Sequence, residues 1–363
     1  MMVPVAFPAD QLQRLASGCG FELAGATPAV PLPDAAPYLD WAARGLAGAM
    51  TYLSDRRAPL RTDPRTLLPS ARSIVCVGKL YRTPHEPSRH PLAGWISRYA
   101  WGNDYHDTLR RALLQLAARL QQAAGPLEYK VCVDTAPLLE RSYARRAGLG
   151  WIGKNSCLIR EGMGSWFFLG ELLVSIDIEP GAPPPDRCGT CTRCIEACPT
   201  QAIVPIAPHP ALPARTYELD STRCISYLTI ELRGPSPTPL RPSFGNYIFG
   251  CDICQDVCPW NSRAPLTSDP SFFPRQIPLP LDNPPLETLA SLTEEEFHAA
   301  FRATPVTRAR YNGFLRNVAL AIGNTGEPTL APALTRLAAS TDPTVAEAAA
   351  WAIAQLKAHQ PTV

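Results

Sequence analysis

Three features of the sequence predict a chain with three structural parts. Alternating strand and helix patterns over residues 1–179 indicate an α/β domain. Two dense cysteine runs within 187–262 indicate a ferredoxin-like module for two 4Fe-4S clusters. A short helical repeat indicates an α-helical HEAT-like domain over 291–363, joined to the module by a proline-rich connector over 263–290.

The α/β domain is predicted from the spacing of apolar residues. Residues 107–123 carry leucines at helical intervals and indicate an amphipathic helix. Short apolar runs at 72–78 and 129–134 are typical of buried strands. Further helices are predicted at 11–19, 35–53 and 137–147, with a third strand region at 166–176.

Seven of the twelve cysteines form two closely spaced runs, Cys188-x2-Cys191-x2-Cys194-x3-Cys198-Pro199 and Cys251-x2-Cys254-x3-Cys258-Pro259. The first run has bacterial ferredoxin spacing, in which one loop wraps a 4Fe-4S cluster and the fourth cysteine ligates the other cluster. Zinc is the alternative metal that such cysteines could bind, but zinc ribbons use paired CxxC motifs. Three cysteines at successive three-residue steps before CysPro therefore favour iron and sulfur.

The second run lacks one ligand. Cys224, displaced upstream by a proline-rich insertion at 205–223, is the candidate that completes it. Crossed ferredoxin ligation then gives two sets of four. The outer set is Cys188, Cys191, Cys194 and Cys258, and the inner set is Cys198, Cys224, Cys251 and Cys254.

Four cysteines, Cys19, Cys76, Cys132 and Cys157, remain outside these sets. Cys76 and Cys132 lie in apolar runs, so core packing is expected for them. Cys157 follows an unusual glycine-rich loop, and its role is left open.

The tail carries an internal repeat. Residues 317–324 align with 348–355, 31 positions later, with small and large apolar residues at matching places. Two copies of a helical hairpin cannot bury their faces alone, so we expect them to stack on the rest of the protein.

Composition limits the class of protein. The chain is 46% hydrophobic, its net charge is +2, and no apolar stretch approaches the roughly 20 residues of a membrane span. No signal peptide is apparent at the N-terminus. Free thiols and cluster ligands fit a reducing compartment, so a cytoplasmic location is expected. Most basic residues are arginine, which suits phosphate binding, but a genome rich in G and C explains this equally well.

The glycine-rich loop matches the pattern Gly148-x-Gly150-x-x-Gly153. A dinucleotide fingerprint would follow a strand, whereas this loop follows a helical stretch, and Asn155 replaces the Ser or Thr of a P-loop. The glycines indicate either close approach to something bulky or an ordinary tight loop.

Asp134 ends a predicted strand, the position at which α/β sheets usually place ligands. Capping of the following helix is the interpretation that the residues alone favour. A buried carboxyl with a raised pKa, acting as a proton donor, is the alternative. His106, just before the amphipathic helix, is expected to be structural.

Several stretches together resemble the epoxyqueuosine reductase family. They are VDTAPLLER at 133–141, AGLGWIGKNS at 147–156, GSWFFLGE at 164–171, RYAWGNDYH at 98–106 and CISYLTIE at 224–231, together with both cysteine runs. The resemblance extends over nearly the whole chain.

The resemblance implies reduction of epoxyqueuosine to queuosine at the wobble position of tRNA, the last step of queuosine biosynthesis. It implies base-off cobalamin bound between the α/β domain and the cluster module. No Asp-x-His-x-x-Gly motif is present, so histidine ligation of a corrinoid through that motif is not expected. The implied proton donor is Asp134. The implied cofactor contacts are Arg57, Ser97, Asp134, Lys154, Asn155, Ser156, Ser165 and Ser221. Several relatives carry cysteine where this chain has Ser97.

Arginines near the tail are the candidates for tRNA contacts. Four of them fall in an acid-free stretch that leads into the repeat, where stacked helices can line up a phosphate track. These are Arg302, Arg308, Arg310 and Arg316, and Arg233 lies near the cluster module. An external one-electron donor and a monomeric state are also expected.

Two other functions remain open from the sequence. A reductive dehalogenase-like enzyme would share cobalamin and two clusters, but it has no need of an arginine-rich helical repeat. A pure electron-transfer protein would need neither Asp134 nor the glycine-rich loop.

Overall fold

The N-terminal half is built on a four-stranded sheet. The computed structural model describes residues 6–88, 90–207, 209–212, 215–276 and 278–358. In this half the helices are α1 (Ala9–Ser17), α2 (Ala35–Ala43), α3 (Tyr105–Ala124) and α4 (Glu140–Arg146). The strands are β1 (Leu23–Pro28), β2 (Ser73–Leu80), β3 (Trp95–Ile96), β4 (Tyr129–Cys132), β5 (Trp151–Ile152), β6 (Leu158–Ile159) and β7 (Phe167–Val174). Short 3-10 turns occur at Thr51–Leu53, Pro59–Thr62, Pro64–Thr66 and Arg98–Ala100.

The main sheet has the order β1-β2-β7-β4, and all three pairings are antiparallel. The rule that ligands lie at the carboxyl ends of parallel strands, used above for Asp134, therefore does not apply. Strand β4 ends at Cys132, and Asp134 lies in the loop that follows.

Helices cover both faces of this sheet. Leu12 of α1 and Leu113 of α3 pack with Val75 and Leu172 on one face. Tyr143 of α4 packs with Cys76 and Cys132 on the other. The expected core positions of these two cysteines are confirmed, since both are fully buried.

The cysteine runs lie in the middle of the chain on short elements. They are α5 (Arg193–Glu196), β8 (Ile203–Pro205), β9 (Tyr217–Leu219), α6 (Ile225–Ile230), β10 (Tyr247–Phe249) and α7 (Ile253–Asp256). Further 3-10 turns are Ser221–Arg223, Thr238–Phe244, Pro259–Asn261 and Pro270–Phe272. The predicted insertion contains regular structure, because β9 pairs with β8.

The tail is helical, as expected. Its helices are α8 (Leu286–Ser291), α9 (Glu294–Ala300), α10 (Tyr311–Thr325), α11 (Ala331–Ala338) and α12 (Pro343–Ala358), with 3-10 turns at Pro305–Ala309 and Pro328–Leu330. The two repeated segments lie in α10 and α12 and pack against each other. A Cβ on Gly323 would lie 2.8 Å from the Cα of Ala352, so the repeat brings these helices together through small residues.

The tail shares its hydrophobic core with the middle of the chain. Phe314 and Val318 of α10 belong to one cluster with Leu228 of α6, Phe249 of β10 and Trp101. Residues between Cys224 and Cys251 therefore support the tail as well as the cysteine runs. No helix in the described parts of the chain is long and apolar enough to span a bilayer.

Local predictions differ from the structure in three places. The helix expected at 35–53 ends at Ala43, because Gly45 and Gly48 adopt positive φ. The helix expected from Pro137 begins at Glu140. Strand β1 was not predicted, since its sequence LAGATP combines alanine, glycine and proline, which rarely mark strands.

Arg316 is buried, which contradicts its predicted place in a surface phosphate track. It is 1% exposed, and its guanidinium donates to the carbonyls of Leu228, Leu232 and Gly234 and to the side chain of Asn317. Burial lowers the pKa of Arg316 to about 10. The group therefore stays charged near neutral pH and joins α10 to the segment after α6.

Replacing this arginine should destabilise the protein. In Arg316→Leu the carbonyls lose a charged donor inside the core, and we expect the free energy of unfolding to fall by about 3 kcal/mol. Urea denaturation followed by circular dichroism measures it. The control is Arg336→Leu on the exposed side of α11, expected within about 0.5 kcal/mol of wild type. Equal stability of all three proteins would contradict the structural role of Arg316.

Candidate functional site

A histidine held between two aspartates forms the centre of the candidate site. Nε2 of His106 lies 3.2 Å from Oδ2 of Asp134, and Nδ1 lies 2.6 Å from Oδ1 of Asp104. Asp104 also accepts the backbone N–H of His106 and caps α3. Asp134 itself has φ +50°, an uncommon backbone conformation for a residue other than glycine.

The electrostatics of this trio place its proton on the imidazole. Burial disfavours a charged His106, but its hydrogen bonds to the two aspartates raise the pKa of His106 to about 9. Burial alone would raise the pKa of Asp134, yet the hydrogen bond to His106 and the charges of His106 and Arg308 lower it. The expectation of a neutral, proton-bearing Asp134 is therefore wrong for the free protein, because the sequence did not reveal its partner.

Asp134 does not cap the next helix. Helix α4 begins after Leu139 and has no side-chain cap. The side chain of Asp134 is 53% exposed although the surrounding protein is dense enough to desolvate it. The carboxylate therefore lines an open cleft.

Aromatic rings form a wall beside the trio. Tyr105 stacks on Phe168 with ring centroids 4.3 Å apart and on His106 at 4.2 Å. Burial raises the pKa of Tyr99, and the charges of Asp134 and Asp252 raise it further. Asp252 directly follows Cys251 in the sequence. Tyr99 therefore lies near both the acid trio and the inner cysteine set.

The outer cysteine set converges as predicted. Cys188, Cys191, Cys194 and Cys258 line one pocket together with Lys154 and Trp260. The backbone N–H of Lys154 points to the sulfur of Cys188, and the backbone N–H of Trp260 points to that of Cys258. The indole of Trp151 lies near Cys188, but its buried N–H has no hydrogen-bond partner. Donors to sulfur are the contacts that tune iron–sulfur clusters.

The inner set also converges. The thiols of Cys198, Cys224, Cys251 and Cys254 influence one another electrostatically. The backbone N–H of Ala202 donates to Cys198 at 3.3 Å, and the N–H of Ile253 points to Cys251. Cys157 lies against Cys254 as an additional thiol. Cys224 is thereby placed with the ligands that the spacing assigned to it.

The arrangement suits a cluster better than a single ion. Four sulfurs around one zinc would lie within about 4 Å of one another, because each Zn–S bond is about 2.3 Å. Within the described ranges, no group of three ligating side chains converges tightly enough for one metal ion. Two sets of four cysteines at ferredoxin-like spacing are the pattern that 4Fe-4S clusters use.

Most polar residues of the glycine-rich loop bind the cysteine loops. Nζ of Lys154 donates to the carbonyls of Gly189 and Cys191 at 2.7 and 3.0 Å, and Nδ2 of Asn155 lies 3.4 Å from the carbonyl of Cys254. A Cβ on Gly150 would lie 2.3 Å from the carbonyl of Ile159, so this glycine is required by the neighbouring strand. The polar side chains of this loop support the cysteine loops directly.

The predicted serines are similarly engaged inside the protein. Ser97 donates to Asp252 at 2.5 Å, and Ser165 donates to Gln255 at 2.7 Å. Ser221 is buried and its backbone N–H donates to the carbonyl of Leu46. The hydroxyl of Ser97 is therefore already used, which differs from the predicted direct cofactor contact. Ser156 has φ +64° and its carbonyl accepts from Arg141.

Asp252 joins the two halves of the site. Besides the hydroxyl of Ser97, it accepts the backbone N–H of Arg98 at 2.7 Å. The guanidinium of Arg98 also contacts Asp256 on α7. These contacts fix the segment before α3 to the inner cysteine loop.

Three of the predicted tRNA arginines lie together. Arg308 pairs with Glu231 at 3.0 and 3.2 Å and lies 5.6 Å over the ring of Tyr52. Arg233 donates to the carbonyl of Ala309. Burial lowers the pKa of Arg233, and the charges of Arg310 and Arg308 lower it further.

This cluster, called the arginine patch, consists of Arg233, Arg308 and Arg310. It borders the acid trio, because the charge of Arg308 lowers the pKa of Asp134. Arg302 lies apart, beside Arg275, and Arg316 is buried. Arg57 is half exposed, pairs with Asp55, and lies 5.8 Å over the ring of Tyr52, the same ring that Arg308 contacts.

Sequence reasoning expected His106 to be structural and gave Trp151 no role. For His106, the available signal was the aspartate two residues earlier, at the start of a helix. For Trp151 the sequence held no signal, because its contact with Cys188 spans 37 positions of the chain.

Two family models match the chain. Residues 61–135 match epoxyqueuosine reductase QueG, DUF1730, and residues 187–261 match a 4Fe-4S double cluster binding domain. The chain is 41% identical over 357 residues to the epoxyqueuosine reductase of Xanthomonas campestris, covering 96% of each.

Solved structures agree with this. A structure of epoxyqueuosine reductase with an epoxyqueuosine-modified tRNA-Tyr stem loop superposes with a TM-score of 0.85 at 30% identity, covering 96% of this chain and 89% of that chain. The Bacillus subtilis epoxyqueuosine reductase, with its aspartate-bearing catalytic loop swung out of the active site, gives 0.84 at 29% identity, covering 96% and 90%. Since the relatedness extends over nearly the full length of both chains, this chain belongs to the epoxyqueuosine reductase family.

Proposed function

We propose that the chain reduces epoxyqueuosine to queuosine at the wobble position of tRNA, the last step of queuosine biosynthesis. The observation that carries the proposal is the Asp134–His106 pair, which lines an open cleft beside the inner cysteine set in a chain of this family. The relative solved with a modified tRNA stem loop supports the choice of substrate over a small halogenated molecule.

The two cysteine sets act as an electron path. The thiols of Cys224, Cys251 and Cys254 are more deeply surrounded by protein than those of Cys188, Cys194 and Cys258. Cys188, Cys191, Cys194 and Cys258 would hold the cluster accessible to an external one-electron donor, and Cys198, Cys224, Cys251 and Cys254 would hold the cluster that relays electrons toward the cleft. The double cluster family match supports two clusters per chain.

Base-off cobalamin is the proposed resident of the cleft. Asp134, exposed in dense surroundings, and the wall of Tyr99 and Tyr105 fit a large ligand. Arg57, Asn155 and Ser156 are the predicted contacts that would hold it, with Ser97, Ser165, Ser221 and Lys154 supporting the walls. When bound, the cofactor supplies low-potential electrons to the carbon–oxygen bond of the substrate.

The chain's own residues manage the proton. Asp104 holds Nδ1 of His106, so Nε2 carries a proton toward Asp134. When the epoxide oxygen leaves, Asp134 is the group that reaches the cleft and His106 restores its proton. Tyr105 keeps the imidazole in place by stacking.

The remaining assignments belong to the same proposal. The arginine patch holds the anticodon loop, and the tail is a HEAT-like cap that presents it. The sequence divisions at 1–179, 187–262, 263–290 and 291–363 are proposed as domain boundaries. A cytoplasmic monomer is proposed, since tRNA and cluster thiolates both fit a reducing compartment.

The ligand assignment is tested by Cys224→Ala. Anaerobically reconstituted wild type should hold about eight irons per chain and the variant about four, because only the inner cluster loses a ligand. Iron analysis with electron paramagnetic resonance measures this. Cys19→Ala, which removes a thiol outside both sets, should retain the wild-type content. Full iron content in Cys224→Ala would show that the assignment is wrong.

Acid catalysis is tested by Asp134→Asn, which keeps the shape of the side chain but cannot return a proton. We expect turnover with epoxyqueuosine-containing tRNA to fall by roughly 10²–10⁴-fold. Nucleoside analysis gives the rate, and iron content should match wild type. Turnover near the wild-type rate would remove Asp134 from the chemistry.

The arginine patch is tested by Arg308→Ala/Arg310→Ala. Loss of two phosphate contacts should weaken tRNA binding. It should also reduce the slope of the logarithm of the binding constant against the logarithm of salt concentration by about two. The measurement is affinity across a salt series. Arg14→Ala on α1, an exposed arginine paired with Asp10, should behave as wild type. An unchanged affinity and slope in the double variant would leave the tail a structural cap.

A further inference from the structure

An acid without a partner lies in the core beneath the site. Glu171 on β7 is 1% exposed, and its Oε1 has no hydrogen-bond partner. In the sheet register it stands between Cys76 and Cys132, both buried. An ionised carboxylate would be strongly penalised there. Burial therefore raises the pKa of Glu171 well above its usual range.

A second acid lies between this residue and the cleft. Glu140 is the first residue of α4, which packs on the face of the sheet that carries Glu171. The backbone N–H of Asp134 points to the carboxyl of Glu140 and opposes the rise of its pKa. Asp134, Glu140 and Glu171 thus form a series that runs from the open cleft into the core.

The surroundings of Glu140 keep much of it protonated near neutral pH. Burial and the charge of Asp134 raise the pKa of Glu140 to about 7. The charges of Arg141 and His106 oppose this rise in the pKa of Glu140. The hydrogen bonds of both groups go elsewhere, since Arg141 donates to the carbonyl of Ser156 and His106 binds the two aspartates. In the described parts of the chain, no basic side chain forms an ion pair with Glu140. The charge of Glu140 also raises the pKa of four other groups, which are Glu171, Tyr105, Cys76 and Cys132.

The proposed reaction needs more protons than the trio holds. Both carbon–oxygen bonds of the epoxide break, two electrons enter from the external donor, a carbon–carbon double bond forms, and the oxygen leaves as water with two protons. His106 and Asp134 together carry one proton in the free protein. One further proton must reach the cleft in each turnover.

We propose that Glu140 supplies this second proton through Asp134, with Glu171 as the neutral acid that closes the core side of the path. Glu140 acts through another residue and does not touch the substrate, so its role is that of a positioning and proton-supplying group. The inference rests on the proposed function, since the demand for two protons comes from that reaction.

The expected pH dependence follows from the direction of the shift. A carboxyl whose pKa is raised to about 7 carries its proton below that pH and loses it above. The contribution of Glu140 to turnover is therefore full at pH 6 and lost at pH 8.5. An ionised Glu140 is penalised by burial, so Glu140→Gln should fold at least as well as wild type above pH 7.

The kinetic test compares wild type, Glu140→Gln and Glu295→Gln, an exposed control on α9, from pH 6 to 8.5. Gln keeps the acceptor for the N–H of Asp134. At pH 6 Glu140→Gln should turn over about 10²-fold more slowly than wild type, and the ratio should approach one at pH 8.5. Glu295→Gln should follow wild type throughout. An equal rate at pH 6, or a ratio that stays constant with pH, would overturn the proposal.

A second measurement needs no substrate. Infrared spectra of wild type should show a protonated carboxyl band that disappears around pH 7 and is missing in Glu140→Gln. A second band should persist and be missing in Glu171→Gln. Absence of the titrating band in wild type would overturn the proposal. Failure of every protein to reduce epoxyqueuosine, with both bands present, would count against the proposed function instead.

Discussion

The carboxylate of Asp252 is the contact on which the geometry of the site depends. It follows Cys251 in the inner set, and it binds Ser97 and the backbone of Arg98 at the same time. Those two residues precede the segment that carries Asp104 and His106. One buried carboxylate thereby sets the distance between the electron path and the acid trio. Burial raises the pKa of Asp252 to about 6 although Arg98 opposes the rise.

The same region uses charge in two different ways. Around His106, two carboxylates hold a cation in a partly open cleft, and the proton belongs to the imidazole. Behind Asp134, burial penalises the charged form of Glu140 and Glu171 and raises the pKa of both carboxyls. Acids of one chemical type therefore serve as anion at the cleft and as proton holder in the core. The difference depends only on which neighbours the fold supplies.

The sequence predicted local chemistry better than long-range partners. Cysteine spacing predicted a two-cluster module where the double cluster binding domain matches, because clusters are held by cysteines at short, fixed intervals. Asp134 was found through family resemblance, but its proton state was predicted incorrectly, since His106 comes from another helix. Arg316 was placed on a surface because its sequence neighbours are basic. The carbonyls that bury it belong to residues 228–234 and could not be inferred from its own surroundings. The antiparallel sheet was missed for a similar reason, since pairing is not written in any one strand.

The backbone of Asp134 has a consequence for motion. A residue other than glycine at φ +50° carries strain of about 1 kcal/mol, comparable to one exposed hydrogen bond. The contact with His106 is therefore what keeps this loop facing the cleft. The ion pair is strongest while the imidazole is charged, so loss of that charge removes an attraction that opposes the strained backbone. We therefore expect the conformation of this loop to depend on the protonation state of His106.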